Sequence, residues 1–123
     1  MNIITITAGS NCHLISDGER HLMIDAGAPG MGAKIERTLA QNKIAMEQIS
    51  YLVLTHGHSD HICNAAVFQE KYSIPIVIHE NDLSLIDNPL SQEMRATHPI
   101  GKMIKWVGQG SMTRNPPRPF QPD

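Results

Sequence analysis

The stretch of sequence that decides the fold of this chain is YLVLTHGHSDH, residues 51–61. Its first five residues form an apolar run that predicts a strand over 51–55, buried on both faces. The next six residues, 56–61, contain three histidines and one aspartate, all good ligands for zinc or a similar divalent metal. In a chain of this composition the pattern arises by chance in roughly one sequence per thousand. The stretch therefore predicts a metal site at the carboxyl end of a buried strand, where open α/β sheets bind ligands.

The spacing within the cluster favours two metal ions rather than one. His56 and His58 are two residues apart, so in extended chain both point to one side, and the glycine between them leaves room for an ion. Asp60 and His61 are adjacent at the start of a predicted helix over 60–72, where neighbouring side chains point about 100° apart. The simplest arrangement has His56 and His58 on one ion and Asp60 and His61 on a second, about 3.5–4 Å away. A structural turn and a structural zinc site are the alternatives.

The sequence before the cluster predicts an antiparallel meander followed by a helix. The β-branched residues 3–7 predict a first strand, and residues 12–16 and 20–25 predict two more. Asp17-Gly18 is a hairpin turn between the second and third strands. Apolar residues at helical spacing then predict a helix over 31–43.

After the cluster the order strand–helix–strand predicts α/β layering. Residues 74–78 are a second buried strand, and residues 81–86 and 92–96 favour short helices. Residues 100–107 fit a helix or a strand equally well. Residues 109–123 are rich in proline and predict an extended tail, because proline disrupts helices and central strands.

The composition excludes several classes of partner. The 123 residues are 41% hydrophobic and 18% charged, with a net charge of −2 and five aromatic residues. Such a chain offers neither a positive surface for nucleic acid or anionic membranes nor a platform for stacking bases. It contains no apolar run near the roughly 18 residues of a membrane span and no secretory leader, so we expect a cytoplasmic protein. Cys12 and Cys63 are expected to be buried free thiols.

Several segments resemble the metallo-β-lactamase superfamily. THGHSDH, residues 55–61, resembles its metal-binding signature. SNCHLI at residues 10–15 and LMIDAG at residues 22–27 resemble the second strand and the following turn of its glyoxalase II-like branch. IPIVIH at residues 74–79 is similar to the strand after the motif helix. The resemblance runs in the correct order over residues 2–85.

The resemblance implies a fold of the α/β class (an α+β sandwich), specifically half of an αββα sandwich with a mixed sheet and helices on one face. Residues 1–108 would form the amino-terminal half of the domain, and residues 109–123 the proline-rich tail. PFQPD at residues 119–123 resembles the segment just before the second half, which contributes further metal ligands in complete members. An uncovered apolar inner face would be unfavourable in water, so we expect a homo-oligomer to cover it.

The resemblance also implies roles for the site residues. His56 and His58 would bind the first metal, and Asp60 and His61 the second. Asp60 would in addition be the catalytic residue that orients the attacking hydroxide, and Asp25 would support the ligands from behind. The implied cofactor is zinc, two ions in a full site, with iron or manganese as other possibilities.

The expected function is therefore metal-dependent hydrolysis of a small ester, thioester or lactone, incomplete or weak in this short chain. One alternative is a metal-binding or oligomerising half-domain without catalysis, and another is a mononuclear iron thiol dioxygenase of the same fold. A nuclease is disfavoured by the acidic balance and the few aromatic residues. Four histidines outside the cluster are expected not to be ligands: His13, His21, His79 and His98.

Overall fold

Within residues 1–87 and 117–123, five strands form one mixed sheet whose spatial order follows the sequence. In the computed structural model, which describes these residues, the first three strands pair antiparallel, and β3–β4 and β4–β5 pair parallel. The strands are β1 (Asn2–Thr7), β2 (Asn11–Ser16), β3 (His21–Ile24), β4 (Ile49–Val53) and β5 (Ile76–Val77). The predicted meander and the predicted parallel layering are both confirmed.

In the described residues, the helices lie between or after the parallel strands in chain order. They are α1 (Gly32–Gln41), α2 (Ser59–Ile62), α3 (Ala65–Tyr72) and α4 (Leu83–Asp87). Helix α1 lies between β3 and β4, α2 and α3 lie between β4 and β5, and α4 comes after β5. Short 3-10 turns at Met46–Gln48 and Glu80–Asp82 precede β4 and α4. The elements predicted over 92–96 and 100–107, and His98, lie outside the described residues. None of the described helices is long and apolar enough to cross a membrane.

Several predicted boundaries are wrong, each because tertiary pairing or a local hydrogen bond sets the limit. The predicted helix over 60–72 is two helices, separated where the buried side chain of Asn64 donates to backbone carbonyls of the loop after β3. β4 begins at Ile49, where its ladder with β3 starts, and ends at Val53. β5 is shorter than predicted and begins only after Pro75, which lacks the N–H that a strand ladder requires.

One face of the sheet carries the hydrophobic core. The inward residues of β2, β3, β4 and β5 are fully buried and belong to one cluster with apolar residues of α1 and α3. These residues are Leu14, Met23, Leu52, Ile76, Ile35, Leu39 and Phe68. The helices therefore lie on one face of a mixed sheet, which confirms the predicted half of an αββα sandwich.

The opposite face of the sheet is apolar and open in the described part of the chain. Cross-strand partners on this face include Ile3 with Ile15, and Leu22 with Tyr51. Ile3 is 59% exposed and Tyr51 is 48% exposed. The prediction that residues 51–55 are buried on both faces is therefore wrong at Tyr51, because no described element packs on this side of the sheet. That a second copy of the chain covers this face stays a prediction.

Residues 117–123 contain no helix or strand, and they pack along α3 and the edge of β5. Phe120 is buried in the core. The side chain of Gln69 exchanges two hydrogen bonds with the backbone of Gln121. The Asp123 backbone N–H donates to the Ile76 carbonyl at 2.8 Å, and its carboxylate accepts from the Ile76 N–H at 3.0 Å. The final residues thus bind the backbone of the edge strand β5.

Candidate metal centre

Two loops meet at one edge of the sheet, where the parallel strands β3 and β4 end. The loop after β3 begins at Asp25, whose N–H donates to the Val53 carbonyl at 2.9 Å. The loop after β4 carries the histidine cluster and begins at Leu54, whose N–H donates to Val77 of β5 at 2.8 Å. Carboxyl ends of parallel strands are the usual ligand-binding edge of an α/β sheet. This register brings Asp25 beside the cluster although about 30 residues separate them.

Asp25 connects the two loops through its carboxylate. Its φ of 63° lies in the left-handed region, which aspartate tolerates better than most residues. The side chain is buried and accepts hydrogen bonds from the Thr55 N–H (2.8 Å) and hydroxyl (2.9 Å) and from Nδ1 of His61 (2.8 Å). The structure thus places Asp25 directly behind His61, where the sequence analysis expected a supporting residue. Its functional role stays a prediction.

The imidazole of His56 lies against the imidazoles of both His58 and His61. The ring centroid of His56 is 4.6 Å from that of His58 and 4.1 Å from that of His61. Burial, followed by the neighbouring rings of His61 and His58, lowers the pKa of His56 below its ordinary value. Neutral imidazole is the form that binds a metal, so this environment favours the ligand form of His56.

Asp60 lies at the rim of the cluster. Its side chain is 53% exposed, and Oδ2 is 3.4 Å from Nε2 of His61. Its backbone carbonyl accepts a 2.5 Å hydrogen bond from the Ser10 hydroxyl, in the turn between β1 and β2. The carboxylate therefore faces solvent beside His61, the position expected for a group that contacts water or a substrate.

The donor set fits a divalent metal, but it is not a finished site. Within residues 1–87 and 117–123, no group of three or more His, Cys, Asp or Glu side chains is placed to hold a metal ion as it stands. His56, His58, Asp60 and His61 nevertheless converge, and Nδ1 of both His56 and His61 is occupied by hydrogen bonds. Such bonding is typical of metal-binding histidines, because it directs Nε2 outward. The division into two pairs of ligands stays a prediction.

Close packing against α4 restricts position 57 to glycine. A Cβ on this residue would lie 2.8 Å from Cβ of Leu85 and 2.9 Å from its Cδ1. α4 thus occupies the space where a side chain at this position would lie, and the expectation that this glycine leaves room for a metal stays a prediction.

Three polar residues position the loops, and no sequence pattern indicated this role. The Thr55 hydroxyl contacts both Asp25 and His56. The side chain of Asn64 donates to the carbonyls of Ala26 and Ala28, and Ser10 holds the backbone at Asp60. Asn64 stands out as a polar residue inside the apolar stretch 62–67, but such a pattern does not reveal the partner, and Ser10 and Thr55 give no comparable signal.

The remaining histidines and the cysteines lie elsewhere. His13 and His21 are strand residues on β2 and β3, and His79 is an exposed residue that caps a 3-10 turn. Cys12 is a buried free thiol, as predicted, but Cys63 is only partly buried. Burial raises the pKa of Cys12 to about 11, so its thiol stays protonated at neutral pH.

The sheet, its one-sided helices and the cluster after β4 define half of an αββα sandwich. A sequence profile of the metallo-β-lactamase superfamily matches residues 6–122. The chain therefore belongs to the metallo-β-lactamase superfamily.

The chain is also similar in sequence to longer proteins. An uncharacterised protein of Mycobacterium leprae is 30% identical over 108 residues, which cover 86% of this chain and 44% of that protein. The exodeoxyribonuclease YycJ of Bacillus anthracis is 27% identical over 90 residues, covering 72% of this chain and 33% of its own length. The chain thus spans less than half the length of these relatives.

A solved structure shows the same fold. A class B3 di-zinc metallo-β-lactamase from an Alaskan soil metagenome superposes with a TM-score of 0.64 at 17% identity, over 69% of this chain and 33% of that one. This likeness supports the partial fold alone. Whether the chain belongs to the glyoxalase II-like branch stays a prediction.

Proposed function

We propose that this chain carries the amino-terminal part of the active site of a metal-dependent hydrolase. The observation that carries the proposal is the packing of His56 against both His58 and His61, with ring centroids 4.6 and 4.1 Å away, at the edge where Asp25 meets the cluster. Membership of the superfamily, and relatives with names such as exodeoxyribonuclease, support hydrolysis as the class of reaction.

The proposed ligands are His56, His58, Asp60 and His61, and the proposed cofactor is zinc, as in the di-zinc relative, with iron or manganese as other candidates. A bound divalent metal would supply a nucleophile at neutral pH, since it lowers the pKa of water from 15.7 to about 7. Asp60 is the proposed catalytic residue, because its exposed carboxylate can accept a hydrogen bond from water and orient it. Asp25 would hold His61 in place from behind.

The proposed substrate is a small ester, thioester or lactone. This choice rests on the glyoxalase II-like segments at residues 10–15 and 22–27. The part of the chain described here supplies few donors for a metal, so we expect weak metal binding and weak turnover unless another chain adds ligands. A cytoplasmic location remains an expectation from the sequence.

Metal content and turnover test the proposal together. We expect the purified chain to retain zinc after dialysis and to hydrolyse p-nitrophenyl acetate or a model thioester slowly. His58→Ala should lower both zinc content and turnover, whereas His79→Ala, an exposed histidine elsewhere, should change neither. Equal zinc content in His58→Ala and the wild type would refute the ligand assignment.

The same experiment separates the alternatives. Stoichiometric zinc without turnover of any substrate would favour a metal-binding half-domain. One iron per chain, with oxygen consumption in the presence of a thiol, would favour the dioxygenase.

Hydrolysis of DNA is a second candidate, favoured by the similarity to an exodeoxyribonuclease. The net charge of −2 and the five aromatic residues provide no electrostatic or stacking surface for DNA in this chain itself. Digestion of an end-labelled linear duplex, in the presence of zinc or manganese, decides between the two substrates. Metal-dependent loss of the label without ester turnover would favour the nuclease.

A further inference from the structure

We propose that Thr55 is a positioning residue that connects Asp25 to His56 and thereby determines which nitrogen of His56 is available to a metal. The inference rests on the proposed metal site, and it assigns a role to a residue that the sequence analysis left without one. It follows from counting donors and acceptors at a single hydroxyl group.

The carboxylate of Asp25 can only accept hydrogen bonds. The Thr55 hydroxyl oxygen lies 2.9 Å from Oδ2 and 3.0 Å from Oδ1 of this buried carboxylate. A hydroxyl has one hydrogen to donate, and Asp25 takes it. The same oxygen lies 2.9 Å from Nδ1 of His56. Since the hydroxyl hydrogen is already used, Nδ1 of His56 must be the donor in this contact.

His56 is consequently protonated at Nδ1, and its lone pair is on Nε2. His61 reaches the same state directly, because its Nδ1 lies 2.8 Å from Oδ2 of Asp25. One carboxylate therefore sets the tautomer of two ligands, His61 by contact and His56 through the hydroxyl of Thr55. Most metal-binding histidines donate the N–H of the nitrogen that does not bind the metal, and loss of such an outer partner typically weakens metal binding by about 10–100-fold.

The side chain of Thr55 can be changed without losing the loop geometry. Its backbone N–H donates separately to Oδ1 of Asp25 at 2.8 Å, and the residue is exposed. Thr55→Val keeps the shape and the backbone bond but removes the hydroxyl. Thr55→Ser keeps the hydroxyl and is the matched control.

Nitrogen-15 NMR of the full chain, labelled at histidine and free of metal, measures the tautomers at a pH where the rings are neutral. In the wild type and in Thr55→Ser we expect His56 to carry its proton on Nδ1. In Thr55→Val we expect His56 to show the mixture of tautomers of an unrestrained imidazole. His61 should keep its proton on Nδ1 in all three proteins, because its contact with Asp25 is direct.

Competition with a chelator then measures zinc affinity. We expect Thr55→Val to bind zinc about 10–100-fold more weakly than the wild type, and Thr55→Ser to bind close to wild-type strength. Should Thr55→Val unfold, as judged by circular dichroism, Thr55→Ala takes its place. An unchanged His56 tautomer in the variant without the hydroxyl would overturn the inference.

Failure of the proposed hydrolase function can be distinguished from failure of the role proposed for Thr55. If no variant and no wild-type protein hydrolyses any substrate, the proposed hydrolase fails, while the tautomer of metal-free His56 still decides the role of Thr55.

Discussion

The two faces of the sheet differ sharply, although the same apolar strands build both. Tyr51 and Leu52 are adjacent on β4, yet Leu52 is fully buried beneath the helices and Tyr51 is 48% exposed on the open face. Both residues belong to one apolar run that suits a strand with a layer on each side. The apolar sequence of β4 thus suits packing on both faces of the sheet, and the described residues supply a packing layer on one face only.

The candidate ligands lie at the edge of the sheet where β3 and β4 end, and contacts with the helical side hold this edge together. Asp25, Thr55 and Asn64 fix the loops by hydrogen bonds across about 30 residues or more, independently of what lies on the open face. The edge that carries the proposed metal ligands can therefore be preorganised even where one side of the sheet lacks a partner in the described residues.

The largest expected effect on stability comes from truncating Leu52, and truncation of its neighbour Tyr51 serves as the comparison. Leu52→Ala should lower the free energy of unfolding by about 2–5 kcal/mol, because it leaves a cavity beneath the helices. Tyr51→Ala should cost about 0.5 kcal/mol or less, as surface substitutions do. Urea unfolding of the three proteins measures both values, and similar losses would show that the open face is covered in solution.

A second test concerns close packing near the site on the helical face. Gly27 has a φ of 74°, and a Cβ there would lie 2.9 Å from Cβ of Ala8 and 3.2 Å from Cδ1 of Ile35. We expect Gly27→Ala to cost about 2 kcal/mol or more through strain and overpacking. Gly18→Ala is the control, since Gly18 also has positive φ but meets nothing within 4 Å. Equal melting temperatures for the two variants would contradict the packing argument.

Self-association tests the open face itself. If a second copy covers it, light scattering should show an average mass that rises with concentration. Tyr51→Arg should then weaken association by roughly tenfold, about 1.4 kcal/mol. Val67→Arg, at a similarly exposed apolar position on α3, should leave it unchanged. A monomer at every concentration would refute the predicted homo-oligomer.

The smallest expected effect lies between the helices that cover the sheet. Oε1 of Glu36 accepts a hydrogen bond from the Tyr72 hydroxyl at 2.7 Å and another from Nζ of Lys71 at 3.1 Å. These two hydrogen bonds lower the pKa of Glu36. A carboxyl whose pKa is lower in the folded state than in the unfolded state stabilises the fold at any pH above its unfolded-state pKa. This stabilisation is lost as the pH falls through the folded-state pKa. Glu36→Gln should therefore cost about 0.2–1 kcal/mol at pH 7 and less at pH 3. A cost that is constant between these pH values would exclude an ionic contribution.

Much of the fold was predictable because it depends on local patterns. The run of β-branched residues 3–7 predicted the first strand, helical spacing predicted α1, and the resemblance of residues 55–61 and of the flanking segments predicted the superfamily. Element ends were less predictable. The break between α2 and α3 depends on Asn64 reaching the carbonyl of Ala26, and no local pattern reports that contact.

By itself, the sequence determined the type and order of the elements, the superfamily and the candidate ligands, because periodicity and donor chemistry are properties of short stretches. Only the tertiary structure decided that Leu85 fills the space beside Gly57, that Thr55 lies between Asp25 and His56, and that Tyr51 is open while Leu52 is buried. The physical reason is that burial and hydrogen-bond partners depend on which strands pair and in what register, and those contacts join residues far apart in the chain.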